Sequence, residues 1–266
     1  MKKRWIALDA DKLIFECAEG KYIKENTFDN EKVKLKPHME RFEQLVKDTE
    51  DRISADMLGK CKIKGIKVFF SDPDTNFRYD IYPEYKANRH ASDRSPLFYR
   101  LRKKLLKKYG YVKNTEADDV VAYYVREKNY IGASFDKDLL YGVAGDWFDT
   151  YFARQYMIET TKLQSDRFNL IQTLMGDKED NIKGLPIDPK YDMIPMNPLP
   201  EGRTRQPFKV TEKVAIEMLD GYGWDWAGIV KAYKSKGKTE EQALLTRRLT
   251  DMTQWSPKKG IRLIKL

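Results

Sequence analysis

The chain has 266 residues, 41% apolar and 34% charged, with a formal net charge of +9, enough to bury one large core or two modest ones. No run approaches the roughly 20 uninterrupted apolar residues that span a bilayer, and the apolar stretch after the basic start is too short for a signal peptide, so a protein of the cytoplasm is expected. Cys17 and Cys61 form no CxxC pair, only His38 and His90 could serve histidine chemistry, and no GxxxxGK[ST] loop occurs; zinc scaffolds, disulfide scaffolds, histidine-based hydrolysis and nucleotide-triphosphate motors are disfavoured.

The first element is a short apolar run, Trp5-Ile6-Ala7-Leu8, ending in Asp9-Ala10-Asp11. It reads as a buried strand with carboxylates at its carboxyl-terminal tip. Residues 37–58 show helical spacing, with Met39, Phe42, Leu45, Val46 and Ile53 on one side. Lys67-Val68-Phe69-Phe70 predicts a second strand closing on Ser71-Asp72-Pro73, followed by a long polar and aromatic loop; Pro96 then opens a helix over 97–108. Thr115 to Asp119 starts another helix, with Thr115 and Asp118 spaced as a capping box. Tyr130 to Ser134 predicts a third strand ending at Phe135-Asp136-Lys137-Asp138, and 147–153 with 156–158 a further strand pair. A helix over about 161–175 stops at Gly176. Six prolines mark 186–208 as an irregular loop, helices follow at about 211–220, 225–235 and 239–252, and 261–264 could form a last strand.

Alternating strands and helices imply an α/β fold, a mostly parallel sheet flanked by helices on both faces. Acidic clusters recur where strands end, the rim at which open α/β sheets bind ligands. These are Asp9 with Asp11, Asp72, Glu116 with Asp118 and Asp119, Asp136 with Asp138, and Asp177 with Asp180. Glu116 and Asp119 share a helix face, Asp136 and Asp138 share one if the strand continues, and Asp177 and Asp180 share one on a helical turn. Singly each has a plainer reading as a cap or turn. Together on one rim they would form an acidic pocket that only cations relieve, and carboxylate oxygens suit magnesium. Two such ions can drive phosphodiester hydrolysis without a histidine base.

Charge is also concentrated. Between Phe77 and Lys108 stand ten lysines and arginines against three acids, so this window carries +7 of the +9. It is interleaved with Phe77, Tyr79, Tyr82, Tyr85, Phe98 and Tyr99, a combination suited to a polyanion whose bases stack. Its amphipathic alternative is a solvated helix plus a loop.

Five strings occur in a particular order: Leu8-Asp9-Ala10-Asp11; Tyr82-Pro83-Glu84-Tyr85-Lys86-Ala87-Asn88-Arg89; Glu116-Ala117-Asp118-Asp119; Asp136-Lys137-Asp138-Leu139; and Gly176-Asp177-Lys178-Glu179-Asp180-Asn181-Ile182-Lys183-Gly184. This set resembles the flap endonuclease and 5′-to-3′ exonuclease family, which includes the 5′ nuclease domain of bacterial DNA polymerase I, and is most similar to short tailed-phage exonucleases. The resemblance covers roughly residues 4–186. It implies a PIN-like nuclease core over 1–176, with a basic gateway loop near 73–108. It also implies a helical DNA-binding region over 177–266, here carrying the proline-rich insertion at 186–208 where relatives have a short glycine-containing hairpin.

By the same resemblance, Asp9, Asp72, Glu116, Asp118 and Asp119 would bind a first metal, with Asp11 a further candidate. Asp136, Asp138, Asp177 and Asp180 would serve a second. Lys86 and Arg89 would contact the phosphate being cleaved, and Tyr85 could stack a base. Arg78, Tyr82, Arg94, Arg100, Lys103, Lys104, Lys107 and Lys183 would join Tyr85 in gripping DNA. The implied activity is metal-dependent hydrolysis at or near DNA 5′ ends, duplex or flap. It would use two Mg2+ ions, with Mn2+ able to substitute, in a monomer working in replication in a bacterial host if phage-encoded. The competing readings are a structure-selective DNA-binding protein without catalysis and a PIN-like ribonuclease.

Overall fold

The computed structural model describes residues 1–19, 34–89, 94–151, 153–187 and 208–265; most of the proline-rich insertion lies outside them. The chain forms two compact units. Unit 1 comprises Met1–Asp80, Arg89–Ser165 and Met252–Arg262, and unit 2 comprises Ile81–Asn88, Asp166–Asp251 and Leu263–Leu266. The division falls at Ser165 rather than at 176, and residues 81–88 of the expected gateway cluster with unit 2. Among the described residues no helix is long and apolar enough to cross a membrane.

Unit 1 runs β1 (Lys3–Asp9), α1 (Asp11–Glu19), α2 (Leu35–Asp56), β2 (Lys62–Phe69), α3 (Phe77–Ile81), α4 (Pro96–Tyr109), α5 (Ala117–Lys128), β3 (Ile131–Ser134), α6 (Lys137–Gly142), β4 (Gly145–Asp149) and β5 (Met157–Thr160). The strands form one sheet in the order β2-β1-β3-β4-β5. All neighbours are parallel except β4 and β5. Strand β1 shows why both faces are covered. Ile6 and Leu8 enter one core with Ile14, Phe42, Ile53 and Leu101, from α1, α2 and α4. Ala7, pointing the other way, enters a second core with Val121, Val125, Leu139 and Trp147, as the two-residue period of a strand requires.

Helices α3 and α6 fall where no helix was expected, and two further differences stand out. Helix α1 follows β1 after a single residue, too short a run to show helical periodicity. Strand β2 starts at Lys62 rather than Lys67 because its first half carries Lys62 and Lys64. It is an edge strand, where lysines are tolerated and discourage pairing with other chains. The anticipated last strand shrinks to a hairpin of β10 (Trp255–Ser256) and β11 (Gly260–Ile261).

Unit 2 takes α7 (Lys162–Met175) from Asp166 onward, then β6 (Gly176–Asp177), β7 (Ile182–Lys183), β8 (Pro186–Ile187), β9 (Phe208–Lys209), α8 (Glu212–Tyr222), α9 (Trp226–Ser235) and α10 (Glu240–Thr250). Each of the last three helices begins at the capping residue its sequence offers. Thr211 accepts from the Val214 amide, Asp225 from Gly228 and Thr239 from Gln242. Their core joins Leu174, Leu185, Ala215, Leu219, Ile229 and Ala232. The β6–β7 hairpin explains both glycines of its string. Gly176 ends α7 at φ +65°, and a Cβ there would lie 2.3 Å from the Gly184 amide nitrogen. Here two backbones touch and no side chain fits.

Gly132 sits between Ala7 of β1 and Trp147 of β4, and a Cβ on it would lie 2.2 Å from the Trp147 ring. Gly132→Ala is expected to destabilise unit 1 by about 1–3 kcal/mol through overpacking. Chemical denaturation measures this; an unchanged midpoint would show that the ring relaxes freely.

Candidate active site

Parallel strands aligned by one register end together, and that places the acidic tips of unit 1 side by side. Asp9 ends β1 and is 8% exposed. Ser134 ends β3, fully buried, and donates its hydroxyl to Asp9 Oδ2 at 3.1 Å, while the same oxygen accepts the Asp136 amide at 3.1 Å. One serine, 125 residues from Asp9, thus links two acidic motifs. Beyond the end of β2, Ser71 does the same for two others. Its amide meets the Asp11 carboxylate at 3.3 Å and its hydroxyl accepts the Ala117 amide at 2.9 Å, next to Glu116. Asp136 caps α6 by accepting the Asp138 amide at 2.8 Å, so this pair stands on a helix N-terminus, not on a continuing strand.

The electrostatics follow from the crowding. Burial, then the charge of Asp11, then that of Asp136 push the Asp9 carboxyl up to about 7. Burial also raises Asp11, with Glu116 adding to it; hydrogen bonds from Ser71 and the charge of Arg102 offset part of this. Asp9 therefore feels Asp11 and Asp136 directly, and Asp11 in turn feels Glu116. Among the described residues no three acidic, histidine or cysteine side chains close into a ready-made metal shell. The donors are nonetheless all hard oxygens in a like-charged, poorly solvated group, and they fit a divalent cation that keeps some of its water.

Two expected ligands have other employment. Asp119 is fully buried, and both its oxygens are taken by the guanidinium of Arg78, at 2.8 and 2.9 Å. The shared face of Glu116 and Asp119 is real, since Arg78 also reaches Glu116 at 3.4 Å and the Glu116 amide donates to Asp119 at 3.2 Å. The capping box uses these two residues rather than Thr115 and Asp118. Asp118 stands half-buried in the first turn of α5. Asp72 organises its own loop. Burial raises its carboxyl, but hydrogen bonds from Thr75, Asp74 and Asn114 outweigh this and hold it below the usual value. It follows the turn reading.

Arg78 itself corrects the DNA-binding set, because a side chain with no exposure cannot touch a polyanion. Tyr85 needs the same correction: it is 1% exposed and donates its hydroxyl to Asp180 at 2.8 Å, so no base can stack on it. That contact belongs to unit 2, where the Tyr82–Arg89 string folds into tight turns against the Gly176–Gly184 string. The Lys86 amide donates to the Asp180 carbonyl at 2.9 Å, Asn88 to the Lys178 carbonyl at 2.9 Å, and Asn181 to the Glu84 carbonyl at 2.7 Å. Lys86 has a left-handed backbone, φ 55°, which a lysine adopts at a cost, and its ammonium lies 3.5 Å from Asp180. Asp177 and Asp180 share a turn rather than a helix, with Asp177 accepting the Glu179 and Asp180 amides at 2.7 and 3.4 Å. Tyr82 is half-buried; Lys183 is exposed and pairs with Glu84 at 2.9 Å.

In α4, Leu97, Leu101 and Leu105 are fully buried. Lys103, Lys104 and Lys107 are exposed and Arg100 is half-exposed, a basic face on a well-anchored helix. Arg94 and Arg89 are exposed, Arg94 lying over the Phe15 ring at 4.8 Å. Ser71 and Ser134 were missed as site residues, and Arg78 was expected on DNA rather than as the partner of Asp119 and Glu116. For the serines a signal existed, since each stands at a strand tip immediately beside an acidic motif. For Arg78 none did, because its partners lie 38 and 41 residues away.

No protein-family profile matches the chain. It is 28% identical over 151 residues to DNA polymerase I of Rhizobium leguminosarum and 29% identical over 144 residues to a 5′-3′ exonuclease of Buchnera aphidicola. These matches cover 47% and 46% of the chain but 14% and 48% of the relatives, so the chain aligns with half or less of the curated proteins it resembles. Its fold is that of a bacteriophage T5 protein co-crystallised with metal ions, with a TM-score of 0.61 at 17% identity, covering 94% of this chain and 90% of that one. A T5 flap endonuclease variant in a pseudo-enzyme-product complex with DNA and metal ions gives 0.59 at 18% identity, covering 94% and 89%.

The raised carboxyl of Asp9 makes a stability prediction. Its folded value of about 7 exceeds the unfolded 3.8. Its stabilising contribution is therefore complete below about pH 4 and lost as pH rises to 7. Metal-free protein should lose stability across this window, and Asp9→Asn should be the more stable protein at pH 8, by several degrees at about 2–4 °C per kcal/mol. Thermal melts in EDTA at pH 5 and 8 measure it; identical profiles for the two proteins would sink it. Separately, Arg78→Met leaves Asp119 buried without a counter-charge and should cost about 3–5 kcal/mol, seen in denaturant titration.

Proposed function

We propose that this chain is a divalent-metal-dependent 5′ nuclease acting on DNA at or near 5′ ends. The observation that carries the reading is the gathering of Asp9, Asp11, Glu116 and Asp136 at the carboxyl ends of the sheet, crowded enough that Asp9 is held near neutrality. A purely DNA-binding protein gains nothing from buried like charges that repel a phosphate.

Mg2+, with Mn2+ as substitute, would neutralise charge on the scissile phosphate and acidify an attacking water. The residues do the rest. Asp9, Asp11, Glu116 and Asp136 hold the cations, with Asp138 and Asp118 as further donors through water. Ser134 and Ser71 fix the carboxylates so that little reorganisation is needed when charge develops. Arg78 and Asp119 anchor Glu116 instead of binding ligand. Asp177 and Asp180 are assigned to the same chemistry by motif order, and Lys86 and Arg89 to the equatorial oxygens of the phosphate. The left-handed turn at Lys86, locked to Asp180, supports a fixed role for that ammonium. The basic face of α4, with Arg94, Tyr82 and Lys183, is assigned to the DNA backbone, where lysine and arginine supply affinity without sequence preference. The reading extends to a monomer in a bacterial cytoplasm, where 5′ ends and flaps arise in replication.

The test is cleavage of 5′-ended duplex and 5′-flap DNA beside matched RNA. Activity should require Mg2+ or Mn2+ and vanish in EDTA. Asp136→Asn and Lys86→Ala should each slow turnover by about a hundredfold or more with DNA binding little changed, while the exposed Lys258→Ala should cut normally. Undiminished cleavage in EDTA would overturn the metal mechanism, and a preference for RNA would turn the reading towards a ribonuclease.

A further inference from the structure

The opposite end of the unit 1 sheet holds a cavity that the nuclease reading does not use. It is an open concavity of about 510 Å3, and its lining includes Lys2, Lys3, Lys64, Lys128, Trp5 and Tyr130. Lys3 begins β1 and Asp9 ends it, so at about 3.3 Å per residue the cavity mouth lies about 20 Å from the acidic cluster.

Its charge is not balanced locally. Arg4, also in the lining, is committed to Asp146 and to the carbonyls of Asn129 and Tyr130. Glu127, an acid of the lining, is paired with Arg126 at 2.8 Å. Among the described residues no ion pair engages Lys2, Lys3, Lys64 or Lys128. Four ammonium groups around one concavity repel one another and concentrate an attractive field for an anion.

The aromatic part is built. The β1–β2 register shifts between Arg4 and Ile6, and such bulges re-aim side chains. Gly65 lies in this stretch at φ +141°, and a Cβ there would come within 3.0 Å of the Trp5 ring; the glycine gives the indole its place. The Lys67 ammonium lies over the rings of Trp5 and Tyr130 at 5.1 and 5.4 Å, and over Tyr124 at 5.7 Å. The Trp5 ring is held between a backbone and a cation, and the Tyr130 ring packs against that of Tyr124 at 5.0 Å.

We propose that this cavity is a second nucleotide-binding site. Lys2, Lys3, Lys64 and Lys128 hold phosphate, and the parts of the half-buried Trp5 and Tyr130 that line the cavity offer apolar contact to the base. Cations beside aromatic rings are the combination that holds single-stranded nucleic acid, and the concave shape suits one nucleotide unit rather than a flat lipid headgroup layer. The unit is either a free mononucleotide or one residue of a single strand. The site stands whether or not the acidic cluster hydrolyses DNA.

The test is photocrosslinking in EDTA, so that nothing is cleaved. One arm uses 5-iodo-deoxyuridine monophosphate, the other an oligothymidylate of about ten nucleotides carrying one iodouracil, with attachment mapped by peptide mass spectrometry. Crosslinks at Trp5 or Tyr130 are expected, and the arm giving them identifies the source. The double charge reversal Lys64→Glu/Lys128→Glu should lower their yield at least about tenfold, with Lys2→Glu/Lys3→Glu as the second variant if the first misfolds by circular dichroism. Metal-dependent activity on short duplexes should be unchanged in both. The proposal is overturned if neither arm marks Trp5 or Tyr130, if charge reversal leaves the yield unchanged, or if the protein binds anionic phosphatidylserine vesicles and no nucleotide.

Discussion

Carboxylates that repel one another are held together at the ends of parallel strands, and much of unit 1 can be understood as the means of holding them there. Asp9 is almost completely buried, within the field of Asp11 and Asp136. Left to itself such a group would separate or protonate. It cannot separate, because β1 and β3 are fixed in parallel register by the cores on both faces of the sheet, and its carboxyl is pushed up to about 7 instead. The hydrophobic packing thus holds an electrostatic repulsion in place.

The polar scaffolding is economical. Ser134 satisfies Asp9 and the Asp136 amide with one oxygen, and Ser71 reaches both Asp11 and the start of α5. Arg78 meets Asp119 with two parallel hydrogen bonds and keeps contact with Glu116. Such a planar fork suits arginine and would be poorly served by lysine. Through it, helix α3 fixes the carboxylate that begins α5. In unit 2 the same economy ties Tyr85, Lys86 and Asn88 to the turn containing Asp180, so that two sequence strings about ninety residues apart fold as one piece.

The two ends of the sheet in unit 1 are electrostatically opposite. The carboxyl ends gather acids, while the amino ends and the α5–β3 turn gather lysines around Trp5 and Tyr130. A net charge of +9 therefore hides a chain that is locally acidic where chemistry is proposed and basic at its surfaces. On α4 the separation is made within one helix, leucines inward and lysines outward.

The sequence by itself determined the alternation of strands and helices, the strand tips that carry acids, the approximate ranges of the last three helices and the basic stripe of α4. These are local facts, written in periodicities of two and 3.6 and in residue types at element ends. It could not determine what each polar side chain faces. Arg78 and Asp119 both carry the residue types expected at a polyanion or metal site, yet they neutralise one another out of reach of solvent. Tyr85 is aromatic and sits in a basic string, yet it spends its hydroxyl on Asp180, and Asp72 spends its oxygens on its own loop. Partner choice at Arg78, Asp119 and Tyr85 is a property of contacts 38 to 95 residues apart, and burial, which decides between ligand and scaffold, exists only once the cores have formed. The same holds for the lysine cavity: Lys2, Lys3, Lys64 and Lys128 show no pattern along the chain and become neighbours only through the parallel pairing of β1 with β2 and the return of α5 into β3.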